Sequence, residues 1–174
     1  MKTILILGAT GAVGRHLLTL ALQHPQISQV VAPTRRPLAP HAKLLNPIID
    51  FDQLPMQASW WRADIACCAL GTTRKQAGSA AAFYRVDHDY IVQAAALAHS
   101  AGTPVFVLNS TLGADASRGG LYLNTKGQTG RDVKALGFVS LTLVRPSLLA
   151  GAERSDKRPA EAFGLCINRW FGKF

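Results

Sequence analysis

Tyr122 and Lys126 stand four residues apart in "GGLYLNTKGQTG", which puts both side chains on one face if the segment is helical. A tyrosine hydroxyl ionises near about pH 10, so it exchanges protons poorly at neutral pH unless its anion is stabilised. A lysine one helical turn away supplies the positive charge that does this. Ser110 and Thr111, 12 and 11 residues earlier, close a strand-like run and offer hydroxyls that could hold a carbonyl oxygen beside the tyrosine. The set reads as acid–base chemistry on an oxygen. Alone, however, tyrosine and lysine at this spacing usually mark a solvated helix face, so the reading needs a second motif.

"ILILGATGAVGRHLL" supplies it, with glycines at positions 8, 11 and 14. Gly8 permits a sharp turn out of a strand, Gly11 lets the backbone approach a pyrophosphate, and Gly14 lets a helix sit close to a sheet. The loop Gly8, Thr10, Gly11, Ala12, Val13, Gly14 would cradle a dinucleotide. Its phosphates would rest on free N–H groups at the helix start. The bland alternative is a close-packed turn with no ligand. With a dinucleotide present, Lys126 could also hydrogen-bond the nicotinamide ribose.

"VVAPTRRPLAP" then decides between cofactors. A carboxylate at the end of the second strand would select the free ribose 2′-OH of NAD. Between Gly14 and Asp50 there is no acidic residue, and Arg35 and Arg36 hold the strand end. Guanidinium groups there grip a 2′-phosphate, and Arg15 opposes the helix dipole in a way that a nearby phosphate relieves. The expected cofactor is NADP(H). Asp50 and Phe51 follow the third strand near the adenine; Asp50 could meet the adenine amino group or simply cap its loop.

Positioning these groups requires alternating strands and helices. Strand-length apolar runs fall at 3–7, 29–34, 43–49 (weakened by Pro47), 63–70, 104–110 and 141–145. Helical stretches fall at about 12–23, 79–101 and 120–136. The near-continuous apolarity of the strands predicts a parallel sheet covered on both faces, an α/β doubly wound Rossmann fold in a single domain, residues 1–174. No linker or repeat divides the chain.

The totals agree. At 174 residues the chain can bury one sizeable core. Cys67, Cys68 and Cys166 form no disulfide framework and read as buried hydrophobes of a reducing compartment. The apolar stretch "ILIL" is too short for a signal peptide, and no run approaches a membrane span. A cytoplasmic location is the expectation. The net charge of +9 keeps nucleic acid in view as a partner, but the basic residues are scattered and not interleaved with aromatics.

Taken together, "GATGAVG", "CALGTTRKQAGS", "VDHDYIVQAAALAHSAGTPVFVLNST", "YLNTKG" and "LVRPSLLAG" resemble the short-chain dehydrogenase/reductase superfamily. More narrowly, the chain resembles its atypical, Tat-interacting-protein-like and NmrA-like branch, as far as about Glu161. The resemblance implies NADP(H), Tyr122 as general acid–base, Lys126 as its electrostatic partner, and Thr111, with Ser110 next to it, as the orienting hydroxyl. It implies cofactor contacts from Leu70, Gly71 and Thr72 and from Pro146 to Leu148. Arg74 could meet a cofactor phosphate, a substrate anion, or nothing. The implied activity is hydride transfer to or from a small carbonyl or alcohol, without a metal, in a chain that relatives often pair into homodimers. The alternative implied by the same branch is a non-catalytic NADP(H) sensor. Residues 147–174, with Phe163, Ile167, Trp170 and Phe171 at roughly helical spacing, read as a short or incomplete substrate cap.

Overall fold

In the computed structural model, which describes residues 1–146, the apolar runs become one parallel sheet. Its strands are β1 (Lys2–Leu7), β2 (Ile27–Val31), β3 (Leu44–Leu45), β4 (Ile65–Cys68), β5 (Val105–Asn109) and β6 (Ser140–Val144). Their spatial order is β3-β2-β1-β4-β5-β6. Between β1 and β4 the winding reverses, and ligands of such sheets sit in the crevice beyond the strand ends at that switch.

Both faces are covered, as the continuous apolar strands require. Alternate residues of β1 serve opposite cores. Ile4 and Ile6 pack with Leu17 and Ala21 of α1 (Ala12–Gln23). Leu5 and Leu7 pack with Phe106, Leu108 and the other helical layer. That layer is α4 (Tyr90–Ser100) and α5 (Leu121–Ala135), which contribute Ile91, Ala94, Ala98 and Val133. The alanines let α4 lie close to the sheet.

Three local features differ from the sequence expectation. The third strand spans two residues, because Pro47 has no N–H to extend the ladder. Pairing resumes as one bridge, where Thr34 N–H donates to Pro47 O at 3.0 Å and Ile49 N–H to Thr34 O at 2.9 Å. The long helix at 79–101 is divided into α3 (Ala80–Tyr84), a π-helical turn over Arg85–Asp89, and α4. "TTRKQAG" forms a four-residue helix, α2 (Arg74–Ala77), closed by a Thr73/Gln76 capping box and Gly78 at φ 82°.

The π turn is fastened to α5. His88 lies 2.8 Å from Asp89 and 2.9 Å from Asp132, and its ring stacks on Tyr84. Arg131, then His88, hold the Asp132 carboxyl well below its ordinary value, at about 2. A depressed carboxyl stabilises the fold above its unfolded-state pKa, and the benefit disappears as pH falls through the folded value. Allowing for the exposure of Arg131, Asp132→Asn costs about 1 kcal/mol at pH 6. In denaturation series from pH 6 to pH 2 that gap narrows below about pH 4 and closes near the bottom of the range.

Cys67 and Cys68 are fully buried in β4, and burial pushes the Cys68 thiol up to about 12, leaving it an inert hydrophobe. Among the described residues no helix is long and apolar enough to cross a membrane, and no cluster of His, Cys, Asp and Glu could hold a metal ion. Ser147 and Leu148, Cys166 and the expected cap at 147–174 lie outside the described residues.

Candidate dinucleotide site and acid–base helix

The glycine loop has the geometry its spacing predicts. Gly8 turns out of β1 at φ 84°, and a Cβ there would stand 2.7 Å from the Ala69 backbone. A Cβ on Gly14 would stand 1.9 Å from Gly8 O, so only glycine lets α1 start this close to the strand. Gly11 differs. A Cβ there would meet only Gly8 O at 3.4 Å and Ala69 O at 3.9 Å, ordinary contacts, so the chain's own packing hardly requires its bareness. As N-cap of α1, Gly11 leaves the first-turn N–H groups without a side-chain cap, and no acidic residue occupies that turn. Uncapped donors beside an open backbone surface fit a pyrophosphate.

Arg35 and Arg36 stand exposed at the tip beyond β2, and Arg15 is exposed on α1. Among the described residues none of the three has a carboxylate partner. Sequence reasoning overlooked what shapes this tip. Asn46 Nδ2 donates to Ala32 O and to Thr34 Oγ1, its Oδ1 accepts from Leu38 N, and Thr34 Oγ1 donates to Arg36 O. The arginines thus sit on a pinned loop. Asp50 is exposed and caps its own turn through Asp52 N–H at 2.9 Å, while Phe51 is buried against the ring of Tyr90. Asp52 accepts from the Tyr90 hydroxyl and pairs with Arg85 at 2.8 Å, tying the loop after β3 to the π turn and α4.

On the other half of the edge, Lys126 is only 7% exposed, its ammonium 2.8 Å from Oδ1 of the fully buried Asp87. The approach is off the hydrogen-bonding direction, so the contact is an ion pair. Oδ2 of Asp87 accepts from Thr72 N–H at 2.7 Å, and Gly71 lies over the pair; a Cβ there would be 3.3 Å from Oδ1 and 3.5 Å from Nζ. Thr129 Oγ1 lies 2.8 Å from both Asp87 O and Thr125 O, which share its single hydroxyl proton. Asp87 was not anticipated. A π turn placed inside a helical stretch is what brings its carboxylate inward, and such a turn leaves no clear periodic signal.

Tyr122, one turn before Lys126, is 48% exposed beside Phe83, ring centroids 6.1 Å apart. Ser110 and Thr111 are buried just beyond β5. The segment from Thr111 to Gly120 returns across α5 so closely that a Cβ on Gly127 would be 2.2 Å from the Asp115–Ala116 backbone. Asn124 Nδ2 clamps it through Ala116 O and Arg118 O. The segment that follows the strand-end hydroxyls is therefore packed directly on the tyrosine helix. Leu70, Gly71 and Thr72 follow β4 at the same edge, and Pro146 O accepts from Leu112 N–H at 2.9 Å. A cavity of about 340 Å3 opens at the start of α5, lined by Arg74, Phe83, Tyr122, Leu121, Leu123 and two glycines.

A doubly wound sheet with this loop defines a Rossmann domain of the NAD(P)-binding type. The family model described as "NAD dependent epimerase/dehydratase family" matches residues 4–110, and the chain belongs to that family. It is 38% identical to "Protein fmp52, mitochondrial" of Emericella nidulans over 187 aligned positions, covering 99% of this chain and 77% of that protein. It is 38% identical to "Protein HTATIP2" of Rattus norvegicus over 179, covering 97% and 73%. Among solved structures, an oxidoreductase, ylbE of Lactococcus lactis, superposes with TM-score 0.70 at 20% identity, over 88% of this chain and 72% of that one. MoeE5, solved with UDP-glucuronic acid and NAD, superposes with TM-score 0.68 at 20% identity, covering 82% of this chain. The match spans about half of MoeE5's length (54%). At these identities the structures share the fold. The cytoplasmic expectation is corrected: relatives matching nearly the whole chain are named mitochondrial. Cell addresses are read by receptors from signals separate from core packing, so the composition that suggested that location carried no such information.

Proposed function

We propose that the chain is an NADP(H)-dependent oxidoreductase acting on a small carbonyl or alcohol. The observation that carries this reading is the sharing of one sheet edge. An uncapped helix start and arginines that lack a carboxylate partner among the described residues stand on one side of the switch point, the Tyr122–Lys126 helix on the other. The residues fit the dinucleotide: first-turn N–H groups of α1 for the pyrophosphate, Arg35 and Arg36 with Arg15 for the 2′-phosphate, and backbone from Leu70 to Thr72 for the ribose.

When bound, the nicotinamide supplies the hydride that reduces a carbonyl carbon and is itself oxidised. Tyr122 gives its proton to the carbonyl oxygen and regains one from solvent. Thr111 or Ser110 donates a hydrogen bond to that oxygen and orients it. Lys126 keeps a positive charge beneath the tyrosine, and Asp87 holds that ammonium in a buried site where it would otherwise be costly. Alcohol oxidation runs the same proton path backwards.

The test is NADPH consumption with a panel of aldehydes, ketones and quinones. The reading predicts turnover of at least one panel member that depends on Tyr122. Tight NADP(H) binding with no turnover would favour a sensor instead.

A further inference from the structure

Among the described residues, the walls of the cavity beside Tyr122 are Phe83, Leu121 and Leu123, with glycine backbone, and the one charged lining residue is Arg74. Among the described residues Arg74 has no carboxylate partner, although it is held on a capped helical turn. No residue of the phosphate loop lines this cavity, so Arg74 faces the space next to Tyr122 rather than the pyrophosphate cradle.

We propose that this cavity takes a small carbonyl compound bearing a carboxylate, with Arg74 as the residue that selects the acid. The inference rests on the oxidoreductase reading for the role of Tyr122, but not for the binding itself. A guanidinium meets a carboxylate through two parallel N–H···O bonds, and a neutral substrate would leave those donors to water. A single arginine matches a monoanion; a phosphate dianion would leave one charge without a counterpart among these apolar walls. The volume suits a body of about ten heavy atoms. The acid is anchored at Arg74 while the carbonyl is presented to the Tyr122 hydroxyl, so specificity and proton transfer come from two lining residues of one cavity.

The probe pair is 4-carboxybenzaldehyde and its methyl ester, titrated calorimetrically into the cofactor-free protein. The acid is expected to bind at least about tenfold more tightly than the ester, the usual weight of a charge-assisted hydrogen bond. Arg74→Gln removes that preference and Arg74→Lys restores part of it, which separates charge from any damage to α2. Tyr122→Phe retains it. In NADPH oxidation, Arg74→Gln raises KM for the acid about tenfold and leaves kcat within threefold. Equal binding of acid and ester, no binding of either, or a preference that survives in Arg74→Gln overturns the proposal. Arg74-dependent acid binding without any NADPH oxidation upholds the acid site and overturns the oxidoreductase reading instead.

Discussion

Lys126→Met lowers folding stability by about 3–5 kcal/mol, far more than loss of a surface lysine costs. The reason is the partner left behind. Asp87 is fully buried, and Lys126 is the cation that compensates it. Thr72 N–H still donates to Oδ2 in the variant, but one peptide donor does not offset a desolvated charge. Asp87→Asn in the same chain recovers most of the loss, because it removes the uncompensated charge and keeps an acceptor for Thr72. Urea denaturation of the two single variants and the double variant measures the coupling. A double variant no more stable than Lys126→Met would show that the pair contributes little and that Lys126 is held by packing alone.

Under the proposed reaction, Tyr122→Phe, by contrast, removes turnover while leaving the protein folded. The ring is 48% exposed, and phenylalanine keeps its contact with Phe83, so stability changes by less than about 0.5 kcal/mol. Losing the proposed proton donor lowers kcat by about 100-fold to 10,000-fold. KM and NADPH affinity stay nearly unchanged, because the hydroxyl acts on the reacting oxygen. The comparison is steady-state NADPH oxidation beside a denaturation curve for each protein. A variant with undiminished kcat excludes Tyr122 as the proton donor.

The fold was legible because two periods alternate along the chain. "TILIL", "ADIACCAL" and "PVFVLNS" cannot be amphipathic helices, and runs that apolar belong in the middle of a covered parallel sheet. The glycine loop was equally readable, since Gly8 and Gly14 are each forced by a contact of under 3 Å. What escaped notice depends on tertiary contacts. Asp87 looks like a solvated helix residue until the π turn rotates it onto Lys126. Asn46 looks like a loop residue until its amide is seen to pin the arginine tip. Arg74 was ambiguous in "GTTRKQAG" because nothing local states which side of the sheet edge a short helix faces. The cavity it shares with Tyr122 supplies that information.

Calorimetric titration of the protein with NADPH and with NADH, repeated in Arg35→Ala/Arg36→Ala, probes the cofactor site most directly. Two guanidinium groups on a 2′-phosphate should favour NADPH by at least about tenfold, a preference that disappears when both are removed. Equal affinity for the two dinucleotides in the unaltered protein, or no heat of binding for either, would contradict the assignment of that strand tip.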